Sequence, residues 1–426
     1  MRILITSLEG SHFQLLVPMA WALRTAGHEV RTACKPELVE TVTRAGLAAE
    51  PIECPPWHEL LGEFHHEAIA YYNTLDTTGV DEAEESWEDH LAYETIITPA
   101  LNMPLNSDEM IDELVGLARA WRPDLVIWET LCIAGAVAAV AVGAAHARLV
   151  SGPEQAMQIT TRRHFLRRAL EQEPEHREDP TAEWLDWTLE RLGSARRFDE
   201  TMLTGQFTID TRPPSQREDL GLETVPVRYL PYNGRSVVPR WLREPPARPR
   251  VCLTLGVSIT DEYRLWDLGS LLAAMLRTLA ELDVEVVAAI AAEQREHLPE
   301  LGENVRVVDF VPMNDLLPTC ALVIHHAGYQ TKATGEFHGV PQVVLTGWEW
   351  VSEAMGHAYE EQGTLLAIPL REFSAELFRE KVVRVLTEPS FTENARRLRQ
   401  EILAMDPPND AVPAIEKLTA AHREET

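Results

Sequence analysis

The chain has 426 residues, 45% of them hydrophobic and 25% charged, and a formal net charge of −29 at pH 7. The length suits two α/β domains of about 200 residues each, and the ordinary composition excludes disordered and fibrous classes. The acidic excess argues against a nucleic-acid partner, and no apolar run approaches the ~20 residues that span a bilayer. Met1 leads straight into an apolar strand with no signal-peptide pattern, so the expected location is the cytoplasm. Arg2 to Leu8 reads as a buried parallel strand, Leu15 to Thr25 as a helix with an apolar face, and Gly27 as its C′ residue before a strand from His28 to Ala33. Pro123 precedes a second strand–helix–strand unit: Asp124 to Trp128, Ile133 to Val142, and Ala147 to Val150. The ends of the strands at Leu8 and Trp128 are therefore expected to be neighbours at one sheet edge.

Between these units, Trp57 to Asn106 is acidic and aromatic, and reads as an insertion with Tyr71, Tyr72, Trp87 and Tyr93 among its acids. Charge runs of this kind are ordinarily solvated helix surface. A second polar insertion, Glu171 to Asp199, carries helical periodicity through Trp184, Leu185, Trp187, Leu189 and Leu192. The four prolines between Pro239 and Pro249 stiffen the chain and mark an expected linker. Past it the alternation restarts, with strands Val251–Leu255, Val284–Ile290, Val305–Val308, Leu322–His325 and Gln342–Leu345 and a helix Leu265–Glu281. The expected organisation is thus an α/β chain of two Rossmann-like, doubly wound parallel-sheet domains facing a cleft. Residues 1–238 form the first, 239–249 the linker, 250–408 the second, and 409–426 a C-terminal helix that can return to the first.

Scattered Cys34, Cys54, Cys132, Cys252 and Cys320 lack a CxxC pair and fit reduced thiols rather than a disulfide framework or zinc site. His65–His66–Glu67 is rejected as a metal site, because adjacent residues do not share a face and no second ligand cluster accompanies them.

The sharpest local feature is His325–His326–Ala327–Gly328–Tyr329–Gln330–Thr331, where a strand ends and a helix begins. Open α/β sheets bind ligands outside the carboxyl ends of their strands, and a helix N-terminus there offers NH groups to a diphosphate. A pair of buried structural histidines explains the residues about as well.

Three runs, Phe310 to Cys320, His325 to Thr331 and His338 to Gln342, are similar to the donor-binding signature of the family 1 glycosyltransferases of bacterial antibiotic biosynthesis. The resemblance extends to Ser11–His12, Trp121 to Trp128, His176 to Pro180 and Val251 to Ser258, and is closest to the macrolide and anthracycline deoxysugar transferases. It implies the GT-B fold, a TDP-deoxysugar (often an amino sugar) as co-substrate without a cofactor, and a small-molecule aglycone as acceptor. It also implies a cytochrome-like activator protein as partner, and leaves homo-oligomerisation open. Carried onto matching positions, His326, Gly328 and Thr331 hold the diphosphate with Gly256 and Ser258, while Phe310 and Met313 flank the nucleobase. Glu349, with Trp350 beside it, contacts donor-sugar hydroxyls. The sequence departs from the family at Ala327 and Gln330, which replace glycines, and at Tyr329, which replaces a small residue; two of these changes remove backbone freedom.

In the same resemblance His12 is the general base, and Glu129 the carboxylate that orients it. Imidazole titrates in the range such chemistry needs, and a carboxylate on the second ring nitrogen fixes the tautomer. Without the resemblance His12 reads as a surface residue in the loop after the first strand, and Glu129 as an acid at a helix N-terminus. The expected reaction is an inverting, metal-independent sugar transfer to a hydroxyl. The rivals are a C-glycosyltransferase of the same fold and a non-catalytic sugar-nucleotide or aglycone binder. An NAD enzyme is disfavoured because Glu9–Gly10–Ser11 lacks GxGxxG.

Overall fold

Apolar strands alternating with helices fold into two parallel sheets, each with its own core. The computed structural model describes residues 1–55, 86–150, 152–256, 268–291, 295, 298, 301–347, 356 and 359–423. The chain divides into one compact unit of Met1–Arg228 with Met405–Thr426, and another of Tyr229–Ala404.

In the first unit the elements run β1 (Arg2–Ser7), α1 (Gly10–Thr25), β2 (Glu29–Cys34), α2 (Val39–Arg44) and β3 (Ala48–Pro51). They continue as α3 (Trp87–Ile97), α4 (Asp108–Trp121), β4 (Leu125–Glu129), α5 (Ile133–Val142), β5 (Ala145–Val150), α6 (Pro153–Leu170), α7 (Pro180–Arg191), β6 (Phe207–Asp210) and β7 (Thr224–Pro226). Among the described residues the sheet order is β3-β2-β1-β4-β5-β6-β7, all parallel. β4 and β5 are buried along their whole length; β4 is apolar up to its last residue, Glu129, whereas β5 carries His146 and Arg148 among its apolar residues. Pairing Thr6 with Trp128 brings the ends of β1 and β4 together, as the sequence suggested.

Three expectations change here. Helix α1 begins at Gly10 rather than Leu15, because Phe13, Leu16, Val17 and Ala20 already form its buried stripe. His12 therefore stands in a helix's first turn, not in a loop. Of the insertion, residues 57–85, including Tyr71, Tyr72, His65, His66 and Glu67, lie outside the described residues; the remainder holds α3, started by a Ser86–Asp89 capping box, and the helical turns Thr98–Asn102 and Met103–Leu105. Trp87 stacks on Phe165 at 5.2 Å and Tyr93 is buried with Ile97 and Leu101, so these two aromatics are packed inside the unit rather than offered to a partner.

The stretch His176–Pro180 proves architectural. Arg162, buried on α6, takes Asp179 with two bonds of 2.9 and 2.7 Å and Glu200 with two of 3.2 and 2.8 Å. Its guanidinium also stands 3.6 Å from buried Glu94 on α3. Asp179 in turn caps α7 through the Ala182 NH at 3.0 Å. On α7, Trp184, Leu185 and Leu189 are buried while Trp187 is exposed, about 200° round the helix from Leu185.

The second unit holds β8 (Arg250–Thr254), α8 (Leu268–Ala280), β9 (Glu285–Ala289), β10 (Val305–Val308), β11 (Leu322–His325), α9 (Tyr329–His338), β12 (Gln342–Thr346), β13 (Leu365–Pro369), α10 (Ala375–Thr387) and α11 (Pro389–Ala404). Its sheet runs β10-β9-β8-β11-β12-β13. The proline-rich segment 239–249 is part of this unit. Leu242 is buried with Cys252 and Val311, and the Arg250 and Arg306 guanidiniums lie 5.6 and 4.9 Å over the Trp241 ring. Its two apolar residues find a core despite the prolines around them, so the division of the chain falls at Arg228–Tyr229. The final helix, α12 (Pro408–His422), packs on α1, β5 and β7 of the first unit, with Arg228 N donating to Asp406 O at 2.8 Å.

Candidate functional sites at the two switch points

Each sheet is built outward in two directions, and chain order reverses once in each: between β1 and β4, and between β8 and β11. At such a point the connections leaving adjacent strand ends diverge and open a crevice. The residues singled out from sequence gather at these two places.

At the first, His12 in α1 and Glu129 at the end of β4 meet, with Nδ1 3.1 Å from Oε2. The imidazole is about one-third exposed, whereas the Glu129 side chain is 5% exposed. Glu129 also accepts from the Leu8 NH at 3.3 Å and the Leu131 NH at 2.9 Å. Burial pushes its carboxyl up, but the charge and hydrogen bond of His12 with the two backbone bonds outweigh this and hold it below the usual carboxylate range. An ionised carboxylate only accepts, so His12 Nδ1–H donates, and Nε2 is the ring nitrogen with the lone pair. Two further groups were not singled out from the sequence. Glu9, the N-cap of α1, is pushed up by burial against the charges of Lys35 and His12; Lys35 follows β2 and is buried, its Nζ without a hydrogen-bond partner. Their positions just past β1 and β2 were the available signal.

At the second, His326 follows β11 and Gly256 lies two residues beyond β8. A Cβ on Gly256 would stand 2.4 Å from His326 Cε1, and one on Gly328 would stand 2.5 Å from Nε2. Both glycines are thus required for the ring to sit where it does; Gly256 also has φ +75°. Burial pulls the His326 imidazole down to about 4, so it is neutral at neutral pH. Its neighbour points the other way: His325 is fully buried, bonded through Nε2 to Gln342 Oε1 at 2.7 Å, and is part of the core. Gly328 caps α9 with no side-chain cap, and Thr331 lies part-buried in its first turn. A helix start, a neutral histidine and a threonine hydroxyl are groups that can donate hydrogen bonds to an anion.

The unusual residues at this turn differ in consequence. Gln330 is helical and needs no glycine freedom, which corrects the expectation from sequence. Tyr329 packs edge-on against Tyr229 at 6.2 Å, and the Tyr229 hydroxyl lies 3.0 Å from Thr334 Oγ1. Ala327 is the position under strain, with φ +65° in the left-handed region and almost no exposure. Phe310 is 57% exposed, so its ring is open for stacking, while Met313 is part-buried with Sδ 3.9 Å from Cys252 Sγ. Ser258, Glu349 and Trp350 lie outside the described residues. Among the described residues, no cluster of metal-binding side chains is present and no helix is long and apolar enough to cross a membrane.

Comparison with known proteins places these features in context. Residues 21–256 match the model of the erythromycin biosynthesis protein CIII-like N-terminal domain, and residues 273–418 that of the corresponding C-terminal domain. The chain is 47% identical to a 10-deoxymethynolide desosaminyltransferase of Streptomyces venezuelae, over 99% of this chain and 98% of that protein. It is 43% identical to an aclacinomycin-T 2-deoxy-L-fucose transferase of Streptomyces galilaeus, over 99% and 97% of the two chains. The crystal structure of the glycosyltransferase VinC in complex with dTDP superposes with a TM-score of 0.85 at 33% identity, covering 99% of this chain and all of that one.

Proposed function

Because the chain belongs to the erythromycin biosynthesis protein CIII-like family and is a glycosyltransferase of GT-B fold, we propose that it moves a deoxysugar from a TDP-sugar to a hydroxyl of a polyketide-type aglycone. The sugar class and acceptor class follow the relatives, which include macrolide and anthracycline transferases. The amino-sugar assignment is proposed with the same support. The observation that carries the chemical proposal is the 3.1 Å contact between His12 and Glu129.

In this reading the acceptor hydroxyl gives its proton to His12 Nε2 as its oxygen bonds to C1 of the sugar. The bond from C1 to the diphosphate oxygen breaks, and TDP leaves with that electron pair. Glu129 keeps the proton of His12 on Nδ1 and supports the imidazolium that forms. One displacement inverts C1. The first turn of α9, His326, Gly328 and Thr331, together with Gly256 and Ser258, take the charge of the leaving diphosphate, so the step needs neither metal nor cofactor. Phe310 stacks on the base, Met313 borders it, and Glu349 and Trp350 bind the sugar.

A cytochrome-like activator protein is proposed as partner of the first unit, through segment 57–106. Trp87 and Tyr93 pack inside the unit and are not among its anchors. Ala327 favours one second reading, a binder of sugar nucleotides with weak or no turnover, since strain at the diphosphate turn bears on donor geometry. The purified protein, with and without its cognate activator, is to be assayed with TDP-amino-deoxysugars and with macrolide and anthracycline aglycones in excess chelator. A product of inverted anomeric configuration is expected. Donor binding without turnover under every condition supports the binder instead.

A further inference from the structure

At the β7 edge of the first sheet, Arg148 on β5 is in register with Thr208 on β6, and one step on, Val150 is in register with Asp210. Alternation along each strand puts all four on one face. They help line a cavity of about 280 Å³, to which the segment after β6 adds Arg212 and Arg217. The charges in it are unevenly matched. Asp210 is committed to Arg212, accepting Nη2 at 2.8 Å, Nε at 3.1 Å and the Arg212 backbone NH at 2.9 Å. Arg217 stands 3.9 Å from the same carboxylate and donates Nε to Arg212 O at 2.7 Å.

Arg148 is left over. It is 2% exposed, it donates Nη1 to Leu203 O at 3.2 Å, and its Nε is buried without a partner. A guanidinium has five NH groups in a planar fork that matches an oxyanion edge. The other acids at the cavity are on its exposed rim: Glu218 accepts from the Thr160 hydroxyl at 3.5 Å and Asp219 from the Gly221 NH at 2.9 Å. The interior thus holds three arginines and one carboxylate, and that carboxylate is taken.

We propose that this cavity is a binding site for a small oxyanion of the size of phosphate, received by the guanidinium fork of Arg148. The residues that line it include neither His12 and Glu129 nor His326. Burial pulls Arg148 down to about 9, which still leaves it a cation at neutral pH and gives it reason to hold an anion.

The test is thermal unfolding and calorimetric titration of the full chain with inorganic phosphate, against chloride and acetate at matched ionic strength. Arg148→Met and His326→Ala are compared with wild type, the latter to remove phosphate binding at the diphosphate turn. Phosphate is expected to raise Tm and to bind both wild type and His326→Ala, with Arg148→Met at least tenfold weaker. Arg148→Lys keeps the charge but not the fork, is expected to bind at least fivefold more weakly, and serves if the methionine variant does not fold. Crystals soaked in selenate are expected to show anomalous density beside Arg148. An unchanged phosphate response in both Arg148 variants, a response equalled by chloride, loss of all binding in His326→Ala, or an empty cavity after soaking overturns the proposal.

Discussion

His12 Nδ1 lies 3.1 Å from Glu129 Oε2, although 117 residues separate the two in sequence. Glu129 spends one oxygen on the Leu8 NH and shares the other between His12 and the Leu131 NH. The contact is therefore held from the backbone of both strand ends. His12→Ala is expected to lower turnover about a hundredfold or more with TDP affinity unchanged, as when a general base is removed. Calorimetry with TDP and steady-state assays separate the two quantities. Near-normal turnover would remove His12 from the mechanism. Glu129→Gln offers one carbonyl oxygen to three donors, and is expected to cost less in rate than His12→Ala but about 1 to 3 kcal/mol in stability.

The His326 ring is fixed by two glycines. Gly256→Ala introduces a methyl 2.4 Å from Cε1 at a φ of +75°, and is expected to weaken TDP as much as His326→Ala does. Hydrogen bonds to charged groups contribute about 1.5 to 3 kcal/mol, so both losses should be tenfold or more. Unchanged affinity in both variants means that the diphosphate is held elsewhere.

Ala327 pays a left-handed backbone penalty of about 1 to 2 kcal/mol. Ala327→Gly removes it at the expense of a buried methyl and some chain entropy, and is expected to be neutral or stabilising. Ala333→Gly, in the body of α9, is the control and should cost about 1 kcal/mol. Urea midpoints decide; equal losses in the two variants refute the assignment of strain.

Arg162 joins α3, α6 and the start of α7 through Glu94, Asp179 and Glu200. Burial would lower its affinity for a proton, but the bonds from Asp179 and Glu200 with the charge of Glu94 raise it well above the usual range. Arg162→Met removes the common cation and leaves Glu94 buried, with an expected loss of about 3 to 5 kcal/mol. Adding Glu94→Met should restore part of that loss. A single variant as stable as wild type would show that the three helices are held by apolar packing alone.

Burial lowers His146 to about 4, His325 to about 3 and His326 to about 4. Below pH 6.5 the unfolded chain takes up protons that these imidazoles refuse in the folded state, so stability falls as pH drops toward 4. Each contributes up to about 1.4 kcal/mol per pH unit over that window. Glu129, lowered, adds a loss of the same sign below the usual carboxylate range. Among the described residues, neither nitrogen of His146 has a hydrogen-bond partner. His146→Leu is therefore expected to raise Tm and to reduce proton uptake on unfolding by about one at pH 5, measured by the pH dependence of the urea midpoint. An unaltered pH slope would mean that His146 is protonated in the folded state.

The strands β1, β2, β4, β5 and β8 to β12, and the adjacency of the ends of β1 and β4, were legible in the sequence because strands buried on both faces are predominantly apolar; β3, β6, β7 and β13 were not marked by it. His326 and the start of α9 could be placed for the same reason, since they stand where such a strand ends, whereas Gly256 was marked only by the family resemblance. Local pattern also marked His12 and Glu129 as neighbours, through the adjacency of their strand ends. What only the tertiary structure decided were matters of contact between distant segments. The first turn of α1, the outward Phe310, the inward Trp87 and Tyr93, the seat of Trp241 against Arg250 and Arg306, and the gathering of Asp179 onto Arg162 belong to this group. Ala327 belongs there too, for its composition says nothing of φ until β11 and α9 are docked. Apolar periodicity records which residues must leave water, whereas the partner that each polar or aromatic group finds depends on long-range packing that no local window contains.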